Sequence, residues 1–153
     1  MRRLFLLKPD VAGGIDAPTL LLHAARPPIV ENLHYYFDDW DGDDLVMGYP
    51  CFLVTASMAA KLRTADLSGV RYDNVVVTKS ELSRDIRPDL VLPTFKWLRI
   101  SGDPAKDDFS FVAAKSGYEL IVSEKALQVL RTGELKHCEI TEVSQNWRDG
   151  LGT

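Results

Sequence analysis

At 153 residues, with 46% hydrophobic and 26% charged side chains, the chain has the size and make-up of a single soluble globular domain over residues 1–153. A net charge of −4 argues against nucleic acid as the partner, because phosphate binding needs a basic face. The longest apolar run, Thr19 to Ala25, is too short to span a bilayer, so no membrane partner is expected.

Along the chain, Arg2-Arg3 followed by Leu4-Phe5-Leu6-Leu7 opens like a signal peptide. Lys8, Pro9 and Asp10 then cut the apolar stretch at four residues, short of the roughly seven to fifteen of a secretory core. Residues 2–7 are therefore read as a first strand and the protein as cytoplasmic. Gly13-Gly14 lacks the rest of a phosphate-binding loop and reads as a turn between Val11 and Ile15. Pro18 to Ala25 has the look of a short helix, stopped by Pro27-Pro28.

Between Arg26 and Lys61 there is no lysine or arginine, while Glu31, Asp38, Asp39, Asp41, Asp43 and Asp44 all fall there. Inside this acidic block, His34-Tyr35-Tyr36-Phe37-Asp38-Asp39-Trp40 interleaves aromatic rings with carboxylates. Tyr and Trp anchor protein interfaces, and an acidic rim speeds encounter with a basic partner. Tyr35, Tyr36, Asp38, Asp39, Trp40, Asp41, Asp43 and Asp44 are accordingly the candidate partner-binding residues. The competing reading has Tyr36 and Trp40, four apart, facing the core.

Next comes an internal similarity. Phe52-Leu53-Val54-Thr55 aligns with Leu120-Ile121-Val122-Ser123 at an offset of 68, without a gap as far as Leu67 over Leu135. In each copy a buried-strand pattern leads into a hydroxyl residue, Thr55 or Ser123, suited to capping a helix. Met58, Ala59 and Leu62, and likewise Ala126, Leu127 and Leu130, follow at helical spacing. Gly69 and Gly133 end the helices, and strands are expected at Val70 to Thr78 and Cys138 to Val143. Trp40 before Asp43-Asp44-Leu45 and Trp97 before Asp107-Asp108-Phe109 extend the match more loosely.

Residues 80–94 read as a helical turn and a proline-bounded loop between the copies, and Phe95 to Ile100 as a strand. Phe109 to Ala113 and Tyr118 to Val122 read as a hairpin around Lys115-Ser116-Gly117. The tail from Gln145 has little to bury except Trp147. The expected fold is α+β, a mostly antiparallel or mixed sheet with short helices. It is read as two imperfect strand–helix–strand repeats, about 34–78 and 95–144.

Few residues suggest chemistry. Asp43-Asp44 and Asp107-Asp108 are candidate hard-cation ligands or acid–base pairs, and a metal-dependent hydrolase would use Asp44 and Asp108. Adjacent strand residues point to opposite faces, however, so each pair offers at most one carboxylate to a site. The plainer reading is a solvated turn. His23, His34 and His137 are scattered, and His137-Cys138 lacks zinc-ligand spacing. Cys51 and Cys138 read as small buried hydrophobes. No cofactor is expected.

With these residues in view, the chain resembles the immunity proteins of bacterial polymorphic-toxin systems, contact-dependent or type VI secreted, and within them a myxobacterial-type group of formerly unknown function. The likeness runs over residues 35–143. It is carried by Trp40-Asp41-Gly42-Asp43-Asp44-Leu45, by Leu92-Pro93 with Phe95-Lys96-Trp97-Leu98, by Asp107-Asp108-Phe109, and by Leu120-Ile121-Val122-Ser123-Glu124-Lys125-Ala126-Leu127 with Leu130. The resemblance implies a non-enzymatic cytoplasmic inhibitor, monomeric or homodimeric, that binds one cognate toxin. The acidic block is the expected toxin-facing patch, since nuclease toxins present basic clefts. A generic protein-binding or scaffold module is the alternative.

Overall fold

The computed structural model describes residues 2–17, 19–22, 25, 27–114 and 117–144. The readings placed on His23, on Lys115-Ser116 and on Trp147 lie outside these. In chain order the elements are β1 (Leu4–Lys8), β2 (Gly13–Ile15), β3 (Leu20–Leu22), β4 (Ile29–Glu31), β5 (His34–Phe37), β6 (Leu45–Gly48), β7 (Cys51–Thr55), α1 (Ala56–Thr64), β8 (Val70–Asp73), β9 (Val76–Lys79), α2 (Glu81–Ile86), β10 (Phe95–Ile100), β11 (Phe109–Ala114), β12 (Gly117–Ser123), α3 (Glu124–Leu130) and β13 (Glu139–Val143). The fold is α+β. Its pairings are antiparallel except that of β5 with β9 and an isolated bridge between Asp10 and Val46. No helix among the described residues is long and apolar enough to cross a membrane.

Two four-stranded sheets have the orders β6-β7-β10-β8 and β11-β12-β1-β13. They correspond strand for strand. Leu45 pairs with Val54 in one and Phe109 with Val122 in the other. Phe95 pairs with Thr55, and Leu4 with Ser123. Leu98 then meets Tyr72, just as Leu7 meets Ile140. The third strand of each sheet comes from elsewhere in the chain: β1 completes the later half, and β10, which follows the earlier half, completes that one. The two halves are thereby interlocked through a strand each.

Local sequence explains the units. Thr55, in extended conformation, accepts a hydrogen bond from Met58 N (3.3 Å), and Ser123 accepts one from Ala126 N (3.1 Å). Each thus satisfies one of the first-turn N–H groups that a helix leaves unpaired. Met58, Ala59 and Leu62 on α1, and Ala126, Leu127 and Leu130 on α3, are buried in one core with Phe5, Leu7, Leu45, Phe52, Val54, Leu98, Phe109, Leu120 and Val122. A second core lies on the other face of the β6-β7-β10-β8 sheet, where Tyr35, Phe37, Val46, Cys51, Leu53, Phe95 and Trp97 meet Ala12, Val30 and Leu33. All five residues of β7 are buried for that reason: both faces of its sheet are covered, so the alternation normal to a half-exposed strand vanishes.

Several sequence expectations change. Within the stretch Pro18 to Ala25, whose sequence reads as a short helix, Leu20–Leu22 is a strand whose register with β4 sets Leu21 against Val30, an alternation of period two; Pro18, His23 and Ala24 lie outside the described residues. Gly13-Gly14 is not a turn but part of β2. A Cβ on Gly13 would lie 1.8 Å from the Tyr36 carbonyl oxygen, so glycine here permits strand approach. The stretch Val70 to Thr78 breaks where the Asp73 side chain accepts from Asn74 N (2.8 Å), and β8 and β9 enter different sheets. The matched elements also differ from the repeat bounds. β5 and β9 lie in a third sheet, β2-β5-β9. By register the counterpart of Trp97 is Leu6, not Trp40.

Candidate functional site

The acidic block sits between β5 and β6, and alternation decides its aromatic end. Tyr35 and Phe37 point into the second core, and Tyr35 is fully buried with its hydroxyl donating to Met47 O (2.8 Å). Burial raises that phenol well above its ordinary value. Tyr36 points the other way and is half-buried over Gly14, where a Cβ would come within 2.7 Å of its hydroxyl. The reading of Tyr36 as core-facing is thus corrected by one residue. Trp40 does pack inward, edge-on to Phe95 with ring centroids 5.9 Å apart, and its indole N–H donates to Asp43 O (2.8 Å).

The carboxylates divide into structural and exposed groups. Asp38 Oδ1 accepts from Ser80 Oγ (2.6 Å) at the start of α2. Asp44 Oδ1 accepts from Thr55 Oγ1 (2.6 Å) and its Oδ2 from Glu134 N (2.7 Å). Asp43 is fully buried; its Oδ2 accepts from His137 N (2.9 Å), and its Oδ1 has no partner among the described residues. Tyr35 and Asp43 have no surface to offer a partner, so for these two the interface expectation is withdrawn. Asp39 and Asp41 remain outermost, with side chains 53% and 60% exposed. Asp39 pairs with Arg87 (2.8 Å), and Asp41 with His137 Nε2 (2.9 Å).

Two residues remote in sequence complete this acidic lip. Asp10, just after β1, is half-buried there; burial and then the nearby Asp43 carboxylate raise its pKa, with Asp41 and Asp39 adding to the effect against His137. His137, from the loop before β13, bridges the lip. Its hydrogen bond to Asp41 raises its pKa, and the fields of Asp43 and Asp10 add to this. Reciprocally the His137 hydrogen bond, helped by Lys136, lowers the pKa of Asp41. Composition flags Asp39 and Asp41, but nothing in the sequence links Asp10, Arg87 or His137 to them.

The second Asp pair is structural too. Asp108 Oδ1 accepts from Ser123 Oγ (2.6 Å), and its Oδ2 accepts from Ser68 N (2.9 Å). Burial would raise the Asp108 pKa, but the hydrogen bonds from Ser123 and Ser68 and the charge of Lys125 bring it below its ordinary value. Asp43 and Asp44 are therefore not the solvated turn expected of them, nor is the half-buried Asp108. Both oxygens of Asp44 and of Asp108 already serve the protein, and no group of three or more His, Cys, Asp or Glu among the described residues is placed to hold a metal ion. Burial pushes the thiols of Cys51 and Cys138 up to about 12.

The chain matches no protein-family model, and no curated protein matches it in sequence.

Proposed function

We propose that this chain is a non-enzymatic immunity protein that binds a cognate bacterial toxin in the cytoplasm and neutralises it, acting as a monomer or homodimer. The observation that carries the reading is the acidic lip. Asp39 and Asp41 stand exposed above Asp10 and the buried Asp43, and each is pinned by a partner from a distant segment, Arg87 or His137. Carboxylates fixed in advance lose little conformational freedom on binding. Their clustered field accelerates approach of a basic surface such as a nuclease cleft. The resemblance over residues 35–143 points to the same class of partner.

The test is co-expression with the product of the gene adjacent to this chain's, which the reading requires to be a secreted toxin. The chain should restore growth and co-purify with the toxin. Asp39→Lys with Asp41→Lys should slow association about tenfold or more at low salt and flatten its salt dependence. Absence of both rescue and complex would overturn the reading.

A further inference from the structure

Helix α2 is built inside out. Ser83 is its fully buried residue, with a hydroxyl that has no hydrogen-bond partner among the described residues. Leu82 and Ile86, one turn apart on a common face, are instead 53% and 54% exposed. A surface helix normally turns its large apolar residues toward the core. This helix is held against doing so at both ends. At its start Ser80 N donates to Phe37 O (2.9 Å) and Ser80 Oγ to Asp38 (2.6 Å). Beyond its last turn Arg87 donates to Asp39 (2.8 Å) and to Trp40 O (2.7 Å). The tethers that orient α2 therefore end on the acidic block itself, so helix and lip are held together at both ends of the helix.

Charge selects what this surface can accept. Glu81 and Asp85, also one turn apart, occupy the helix face next to Leu82 and Ile86, and Asp89 follows the helix; all three are exposed. Of the three local cations, Arg87 is held by Asp39 and Lys79 donates to Leu90 O, which leaves Arg84. An apolar pair bordered by carboxylates has the anatomy of an interface anchor with a charged rim. Anionic lipid headgroups would meet those carboxylates unfavourably, and so would the same face of a second copy, because an isologous contact sets like patches together.

We infer that Leu82 and Ile86 are the apolar anchor of the partner-binding surface, and that their occupant is a protein bearing an apolar cleft ringed by lysine or arginine. This rests on the toxin reading above and extends it to α2, outside the acidic block. The experiment measures binding of the adjacent gene's product by calorimetry and by association and dissociation rates. The variants are Leu82→Ser with Ile86→Ser and, separately, Leu82→Lys, each checked by circular dichroism and thermal midpoint. Both substituted positions are more than half exposed, so both variants are expected to keep the wild-type fold. The double variant should bind about thirty-fold or more weaker, mainly through faster dissociation, as expected of an interface anchor. Leu82→Lys should bind still more weakly, because it places a cation against a basic rim. If both variants bind like wild type, the α2 anchor is wrong while the toxin reading stands. If wild type itself does not bind, the toxin reading fails and takes this occupant with it.

Discussion

Removal of the Asp44 carboxylate should be among the costlier substitutions outside the apolar cores. Asp44 Oδ1 receives the Thr55 hydroxyl at 2.6 Å and Oδ2 receives Glu134 N at 2.7 Å, so one side chain ties the first helix cap to the loop that follows α3. The Thr55 bond is charge-assisted and the threonine is buried; such bonds contribute about 2 kcal/mol, and the Glu134 bond, nearer solvent, about 1. Asp44→Ala should therefore cost about 3 kcal/mol, a large part of a typical domain stability, and lower the thermal midpoint by about 6–12 °C. Asp44→Asn should cost nearly as much, because an amide has one acceptor oxygen where the site presents two donors.

Thr55→Ala removes the cap as well as the bond, so the double variant with Asp44→Ala should fall short of additivity by about 1 kcal/mol or more. Urea denaturation of the four proteins measures this. A cost below about 1 kcal/mol for Asp44→Ala, or full additivity, would refute the tie. Asp108→Ala should behave alike, since Ser123 and Ser68 occupy its two oxygens. Its depressed pKa gives the sign for pH. The stabilisation is fully present above the ordinary Asp value of 3.8 and is lost as pH falls through the lower folded value.

Three further outcomes follow from the geometry. Gly69→Ala should cost about 2 kcal/mol or more, because φ is +80° and a Cβ would lie 2.3 Å from Phe109 O, whereas Gly42→Ala, at φ +100° with nothing within 4 Å, should cost only the backbone strain of about 1 kcal/mol; equal thermal shifts would refute this. The Asp41–His137 pair should stabilise most fully between the ordinary values of 3.8 and 6.5. Its contribution fades as pH rises through the raised His137 value or falls through the lowered Asp41 value. The gap in thermal midpoint between wild type and His137→Asn should therefore close above that range, and a gap unchanged to alkaline pH would exclude the pairing. Finally, Cys51, with its thiol pushed up to about 12 by burial, should react with a thiol reagent only at the unfolding rate; rapid labelling of the native protein would contradict its placement.

What could be read from the sequence was what is local. Thr55 and Ser123 announce themselves as caps because their function is expressed within three residues, at Met58 and Ala126. Phe95–Ile100 is a strand both by pattern and in space. The strand exchange was not legible, because nothing in Leu4–Lys8 says that it will lie between β12 and β13. The short strands β2, β3 and β4 give too few residues for a period to emerge, and Leu20–Leu22 in particular is apolar whichever way it faces. The candidate site divides along the same line. Asp39 and Asp41 stand out by charge, whereas Asp10, Arg87 and His137 reach them only through tertiary contacts. In α2, the exposure of Leu82 and Ile86 is visible only in the structure.

The two halves differ by two insertions. β1, β6, β7, α1 and β8 correspond in order to β10, β11, β12, α3 and β13, with matching registers. Between Lys8 and Leu45 the chain inserts β2 to β5, while between Ile100 and Phe109 it makes only a turn. Between Asp73 and Phe95 it inserts β9 and α2. The two insertions find each other: β5 pairs in parallel with β9, Asp38 receives Ser80, and Asp39 receives Arg87. Part of this added layer serves packing, since it closes the second core. Packing alone, however, would leave its outer surface free to carry any mixed polar set. It carries instead Asp39 and Asp41, each in an ion pair, and, on α2, the exposed apolar pair Leu82 and Ile86. The shared framework supplies the two four-stranded sheets, and the insertions supply the layer that carries the acidic lip and α2.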